Sequence, residues 1–342
     1  MIATQLRKLE HVKICLEQQV EMGSPLWDEV TLIHQALPEL SLDAVDPSCV
    51  FLGKKLSFPL VIAAMTGGCD EARNINRALA SMAGQKGVAF GVGSQRAMIE
   101  KPELAATYMV RDVAPSILLL GNIGITALKQ YAPARVAEAM HTIGADAVCV
   151  HINPAQEIFQ KEGDRDFSGC YAALEAFCKA VDLPVVAKEV GNGISRECAA
   201  KLKHVGIVAL DVGGVGGTNW VLIDSIRSGL DATTFKNWGI PTAASLIEAQ
   251  VGLPVIATGG VRTGLDMAKA ITLGADVCGI ALPFLRILHE KGEEGVAEYI
   301  DALKADFIRA MFLTGSGTVT ALKRASYTVS GKLLNWLQRI KQ

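Results

Sequence analysis

From Pro59 onward the chain repeats short runs of β-branched or aliphatic residues, at 59–64, 88–92, 117–120, 147–152, 184–190, 207–212, 254–258 and 277–282. Their near-continuous apolar character suits parallel strands covered on both faces better than strands with one wet side. Between the runs the period changes. Ile75, Ala78, Leu79 and Met82 recur at helical spacing, and Leu174, Phe177, Cys178 and Val181 do the same on a shorter segment. Strand alternating with helix about eight times predicts an α/β fold, the (β/α)8 TIM barrel. The alternative is an open doubly wound sheet. It is disfavoured by the repeat count and by the lack of a glycine fingerprint followed about twenty positions later by an acid.

One barrel domain is expected, with a core over 59–290. Residues 1–50 read as an N-terminal extension: an amphipathic helix at about 5–21, then a segment punctuated by Pro25, Pro38 and Pro47. Arg7, Lys8, Glu10 and His11 are dense for a merely solvated helix, so the extension could fold back as a lid. Residues 291–342 should finish the chain as helices at about 293–313 and 328–341, joined by Thr314-Gly315-Ser316-Gly317. The connection 213–253 is longer than one helix needs and reads as loop, helix and second loop.

Composition narrows the function classes. Hydrophobic residues make up 50% and charged residues 20%, which excludes disorder, and no apolar run approaches the ~20 residues of a membrane helix. The first turns are charged, unlike a signal peptide, so a cytoplasmic protein without membrane contact is expected. A net charge of −2 gives no field for nucleic acid. The 8 cysteines show no CxxC or finger spacing and read as reduced thiols. Any anion site must therefore be local.

Candidate chemistry gathers where the apolar runs end. The fourth run closes in His151, Asn153, Gln156 and Glu157; the others close in Met65-Thr66-Gly67-Gly68, Ser94-Gln95-Arg96, Gly121-Asn122, Lys188-Glu189, Asp211 with Gly213 to Trp220, Thr258 to Arg262, and Ala281-Leu282-Pro283. In a barrel all of these lie on one rim. Gly259-Gly260-Val261-Arg262 precedes a helix with Thr263 as a candidate N-cap, a place for a phosphate, and Gly213 to Gly217 could add close backbone approach. Lys188, inside an apolar run, is a Schiff-base nucleophile, a fixed cation facing a cofactor, or half of an ion pair with an acid such as Glu189 or Asp211. Glu157 is either a helix-start carboxylate or a Mg²⁺ ligand shared with substrate phosphates. Arg7, Lys8, His11 and Arg96 are candidates for a second anion clamp.

Taken together, Arg7-Lys8-Leu9-Glu10-His11, Met65 to Gly68, Gly93 to Arg96, His151-x-Asn153-x-x-Gln156-Glu157, Lys188-Glu189, Gly216 to Trp220, Trp238 to Thr242 and Gly259 to Arg262 resemble, in order and spacing, the type 2 isopentenyl-diphosphate isomerases, a family of FMN-dependent (β/α)8 barrels. The resemblance implies interconversion of isopentenyl and dimethylallyl diphosphate with reduced FMN, Mg²⁺ and NAD(P)H as reductant, in a homo-oligomer between dimer and octamer. It implies FMN held by Ala64, Met65, Thr66, Ser94, Asn122, Lys188 and Thr218, its phosphate on Gly259, Gly260, Val261, Arg262, Ala281 and Leu282. The substrate diphosphate would meet Arg7, Lys8, His11, Arg96, His151, Asn153 and Ser195, with Gln156 beside the isoprene carbons and Glu157 on Mg²⁺. Gln156, His151 and Lys188 are the catalytic candidates. Gly213, Val215 and Asn219 depart from residues common in the family. An FMN-dependent oxidoreductase on the same barrel, a Schiff-base aldolase and a non-catalytic flavin or phosphate-binding protein are the competing readings.

Overall fold

The structure, a computed structural model, describes residues 3–340. Eight parallel strands close into a barrel: β1 (Leu60–Ile62), β2 (Ala89–Gly91), β3 (Leu119–Gly124), β4 (Ala147–Ile152), β5 (Val185–Glu189), β6 (Ala209–Asp211), β7 (Val255–Thr258) and β8 (Val277–Ile280). Neighbours in sequence are neighbours in space, and β8 pairs back onto β1. The eight apolar runs thus become the eight barrel strands, and the fold is the expected (β/α)8 barrel.

Inside each run, alternation decides which side chain meets which layer. Val61, Ala89, Leu120, Ala147, Cys149, Val186, Ala209, Ile256 and Val277 form one buried cluster, the barrel interior. Residues of the opposite parity, such as Leu60, Ile62, Leu119, Val148, Val150, Val185 and Leu210, join the shell packed under the helices. The hairpin of Cys49–Phe51 and Lys54–Leu56 adds Phe51 and Leu56 to the interior cluster. Continuing the inward parity towards the carboxyl ends gives Asn122, His151, Lys188, Asp211 and Thr258, all polar, whereas β1, β2 and β8 offer Ala63, Gly91 and Gly279. The interior is therefore oily below and polar at its mouth, with small residues on one side.

Several element limits differ from the sequence reading. The third strand, Leu119–Gly124, runs on past Gly121-Asn122, where the apolar run closes. The N-terminal helix, Ala3–Glu17, stops short of 21 because Arg286 claims its end, donating from Nε to Cys15 O at 3.0 Å and from Nη2 to Gln18 O at 2.8 Å. The connection after β6 holds two helices, Trp220–Ser228 and Thr242–Glu248, rather than one. The helix Leu282–Leu313 begins directly after β8 and breaks at Gly292, whose φ of 66° ends the first part; the expected start at 293 is only its second half. Residues Tyr327–Val329 form a strand paired with Val30–Leu32, and the last helix is Gly331–Ile340.

Candidate active site

One large cavity opens at the carboxyl ends of the strands, covered on one side by the N-terminal helix. The chain organises it from the opening stretch of β4. His151 Nδ1 lies 2.8 Å from Asn122 Oδ1; a carbonyl oxygen only accepts, so Nδ1 carries the proton and Nε2 faces outward as an acceptor. Burial, followed by the positive charges of Lys8, Lys188 and Arg7, pushes the imidazole down to about 3, so His151 is neutral at physiological pH.

Asn153 donates from Nδ2 to Gln156 Oε1 at 3.0 Å and to Glu157 Oε1 at 2.8 Å, while Glu157 Oε2 accepts from Asp164 N at 2.8 Å. Burial, with the nearby Asp164, holds the Glu157 carboxyl above its ordinary value despite these donors. Among the described residues no group of three His, Cys, Asp or Glu side chains is placed to hold a metal. A Mg²⁺ ion would fit Glu157 only if substrate oxygens and water supplied the remaining ligands.

The hub of this wall is Asp224, which the sequence reading did not single out. It is fully buried on the helix Trp220–Ser228 between Ile223 and Ser225, and it accepts from Gln156 Nε2 at 2.8 Å and Arg227 Nε at 3.1 Å, with His11 Nε2 2.9 Å from Oδ1. Burial alone would raise its pKa, but these partners outweigh it and hold Asp224 below the usual carboxylate range. Both ends of the Gln156 amide are consequently fixed, the oxygen by Asn153 and the nitrogen by Asp224. His11 is kept below its ordinary pKa by burial and packs edge-on to Trp220, with ring centroids 5.2 Å apart. The only signal of Asp224 in the sequence was an acid flanked by Val221, Leu222 and Ile223 on an otherwise apolar helix face.

The N-terminal helix brings cations to the same wall. Arg7 lies 3.5 Å from Glu162, which also pairs with Arg227. Lys8 lines the cavity with its pKa lowered to about 8, by burial and then by Arg7. Arg96 also lines it, held by Glu100 at 2.9 Å and 3.7 Å from Asp164. Ser195 is not brought in: it caps the helix Arg196–His204, its Oγ accepting from Cys198 N at 3.2 Å, and it does not line the cavity.

Across the cavity lie Ala64, Met65, Thr66, Ser94, Asn122, Lys188, Thr218, Gly259, Gly260, Arg262, Ala281 and Leu282. Val261 instead turns its side chain into the core. Lys188 Nζ is 3.2 Å from Asp211 Oδ2 and donates to Glu189 O at 2.9 Å. Burial lowers an ammonium pKa, yet the Asp211 charge outweighs it and holds Lys188 above its ordinary value. A permanently charged amine is not a nucleophile, which removes the support for a Schiff-base aldolase. Glu189 is not the partner of this lysine: its Oε2 accepts from the backbone N–H groups of Val190, Gly191, Asn192 and Gly193 at 2.5–3.2 Å.

A planar, phosphorylated cofactor fits this side. Thr66 Oγ1 is buried at the cavity without a hydrogen-bond partner among the described residues. The N–H groups of Gly260, Val261, Ala281 and Leu282 have no acceptor among the described residues, and the last two begin a long helix. Thr263 is an N-cap as expected, but its helix start is answered by Asp266, which accepts from Arg262 N and Thr263 N at 3.0 Å each. The Gly213 to Gly217 loop uses its glycines for packing against other loops. A Cβ on Gly216 would lie 2.2 Å from Pro25 N, and one on Gly217 would lie 2.7 Å from Gly260 N.

Comparison with known proteins agrees with this geometry. The model of the FMN-dependent dehydrogenase family matches residues 123–329, more than half of the chain. The isopentenyl-diphosphate delta-isomerases of Methanosarcina acetivorans and Archaeoglobus fulgidus are each 44% identical over 98% of this chain and cover 95% and 99% of their own. That of Pyrococcus furiosus is 42% identical over 98% of this chain and 89% of its own. Among solved structures, mandelate oxidase with (S)-2-phenylpropionate superposes with a TM-score of 0.67 at 19% identity over 94% of both chains, which speaks to the barrel alone. With this identity over nearly the whole of both chains, the chain belongs to the isopentenyl-diphosphate delta-isomerase family, built on the FMN-dependent dehydrogenase barrel.

Proposed function

We propose that the protein interconverts isopentenyl and dimethylallyl diphosphate, with FMN in the side of the cavity lined by β1 to β3 and β5 to β8 and the diphosphate under the N-terminal helix. The observation that carries this reading is one cavity lined both by cations from the N-terminal helix and by the glycine-rich strand ends, with the doubly tethered amide of Gln156 in its wall. A protein that only stored flavin would have no use for the second clamp.

Thr66, Asn122, Lys188 and Thr218, with Ala64, Met65 and Ser94, would hold the flavin, and Gly259 to Arg262 with Ala281 and Leu282 its phosphate. Reduced FMN, when bound, supplies an electron-rich ring with titratable nitrogens, suited to acid/base work beside a centre of cationic character. NAD(P)H would keep it reduced.

Moving the double bond requires a proton added at one carbon and another removed at a second, on a hydrocarbon that offers no handle. The handle is the diphosphate: Arg7, Lys8 and Arg96 grip it far from the reacting carbons, with His11 held beside them by Asp224, and that binding energy orients the alkene. Neutral His151 offers an acceptor at Nε2, and Asn153 spends its amide protons on orienting Gln156 and Glu157, so neither adds charge near the isoprene. Gln156 bounds the alkene with an amide whose orientation Asn153 and Asp224 fix. Glu157 would share Mg²⁺ with the diphosphate.

The test is turnover. Purified protein with FMN, Mg²⁺ and a reductant should convert isopentenyl diphosphate to its allylic isomer with no net consumption of reductant. Stoichiometric oxidation of NAD(P)H with product would favour the FMN-dependent oxidoreductase instead. Lys8 offers a further check. It is cationic only below about 8, so diphosphate affinity measured by calorimetry should fall roughly tenfold from pH 7 to pH 9, and Lys8→Arg should abolish that fall. An affinity flat across this range in the unaltered protein would remove Lys8 from the clamp.

A further inference from the structure

A cation at the base of a cofactor site is useful only while it stays charged, and in this barrel one neighbour secures it. The register sets Lys188 of β5 directly beside Asp211 of β6, and both are inward by the alternation of their strands. The ammonium is 3.2 Å from Asp211 Oδ2, and among the described residues no other carboxylate pairs with it. Asp211 is 4% exposed, and its second oxygen, Oδ1, has no hydrogen-bond partner among the described residues. Both residues border a small interior cavity beneath the main one, walled by Leu120, Cys149 and Ile256 and by Thr258, whose Oγ1 is also unpartnered. Holding a carboxylate in such surroundings is unfavourable unless a charge compensates it, and Lys188 is the compensating charge. The dependence is mutual, since a buried lysine without a counter-ion sheds its proton.

We propose that Asp211 is a positioning residue that fixes Lys188 as an ammonium ion, so that the cation offered to the bound flavin belongs to a Lys188–Asp211 pair. This rests on the flavin reading above. The experiment measures the two-electron potential of FMN bound to the holoprotein, by equilibration with a reference dye. Asp211→Asn keeps the side-chain shape and removes the charge. Lys188 then loses its counter-ion and its proton, the reduced flavin loses a stabilising cation, and the reduced-to-oxidised ratio at fixed potential should drop about tenfold, equivalent to about 30 mV. In a Lys188→Met background the same substitution should change nothing, because the lysine through which it acts is gone. A potential that is unchanged or raised in Asp211→Asn overturns the proposal, as does an equal drop in the Lys188→Met background. If Asp211→Asn does not retain FMN, the smaller Asp211→Ser is read by the same criteria, and Asp211 is overturned as a tuning residue if that variant keeps the unaltered potential. Unaltered protein that fails to bind FMN would instead defeat the flavin reading itself.

Discussion

Asp224→Ala should lower turnover by at least about a hundredfold and destabilise the fold by roughly 3–5 kcal/mol. The carboxylate has no contact with solvent and answers three side chains from three parts of the chain: His11 of the N-terminal helix, Gln156 after β4, and Arg227 one turn further along its own helix. Removing it leaves the half-buried Arg227 guanidinium short of one partner and frees the Gln156 amide to rotate. A displacement of about 1 Å at such a positioning group is enough for a loss of this order. The N-terminal helix also loses the tether at His11, so proteolysis within residues 6–17 should quicken, while the FMN absorbance should survive, since no proposed flavin contact touches Asp224. Asp224→Asn separates charge from shape. It keeps one acceptor, and its turnover should fall between the two. If Asp224→Ala turned over normally, the hydrogen bonds to Gln156 would have no part in orienting the alkene.

Asp224 also marks the limit of what the sequence makes legible. The barrel itself was readable because each strand carries its own apolar signal, locally and eight times over. The inward polar layer of Asn122, His151, Lys188 and Asp211 was readable as interruptions at the ends of those runs. Its parity, with Lys188 and Asp211 pointing the same way and Glu189 the other, follows from strand alternation only after the register is known. Glu189 looked as good a partner for Lys188 as Asp211 did, and its carboxylate is spent on four backbone N–H groups instead. Ser195 matched the resemblance but serves its own helix as an N-cap. Asp224 joins residues 213 positions apart in the chain, and nothing in the composition of its helix announces a pairing of that range. The glycines of the 213–217 loop were legible as close approach, but not that Pro25 and Gly260 are among what approaches them. Chemistry at strand ends is local, whereas the partners that orient it come from far along the chain.

Glu157→Gln should abolish Mg²⁺-dependent turnover, a loss of roughly two to three orders of magnitude if the ion contributes several kcal/mol to charge stabilisation, while FMN remains bound. The carboxylate sits on the short helix Pro154–Phe159 after β4, apart from the residues proposed for the flavin, so cofactor retention and metal response separate cleanly. Its two oxygens are already oriented by Asn153 Nδ2 and Asp164 N at 2.8 Å each, and a glutamine keeps an acceptor for one of them but loses the charge that Mg²⁺ requires. The stability change should be small, because Glu157 is a carboxyl that burial holds above its ordinary pKa: its charged form already weakens the fold above that pKa, and glutamine relieves this. The same shift predicts a competition between protons and metal in the unaltered enzyme. As pH falls through the raised pKa, Glu157 takes up a proton and the Mg²⁺ concentration needed for half-maximal turnover should rise; in Glu157→Gln no such dependence should remain. Turnover and Mg²⁺ dependence both unaltered in Glu157→Gln would move the ion off this residue, and the charge on the diphosphate would then be met by Arg7, Lys8 and Arg96.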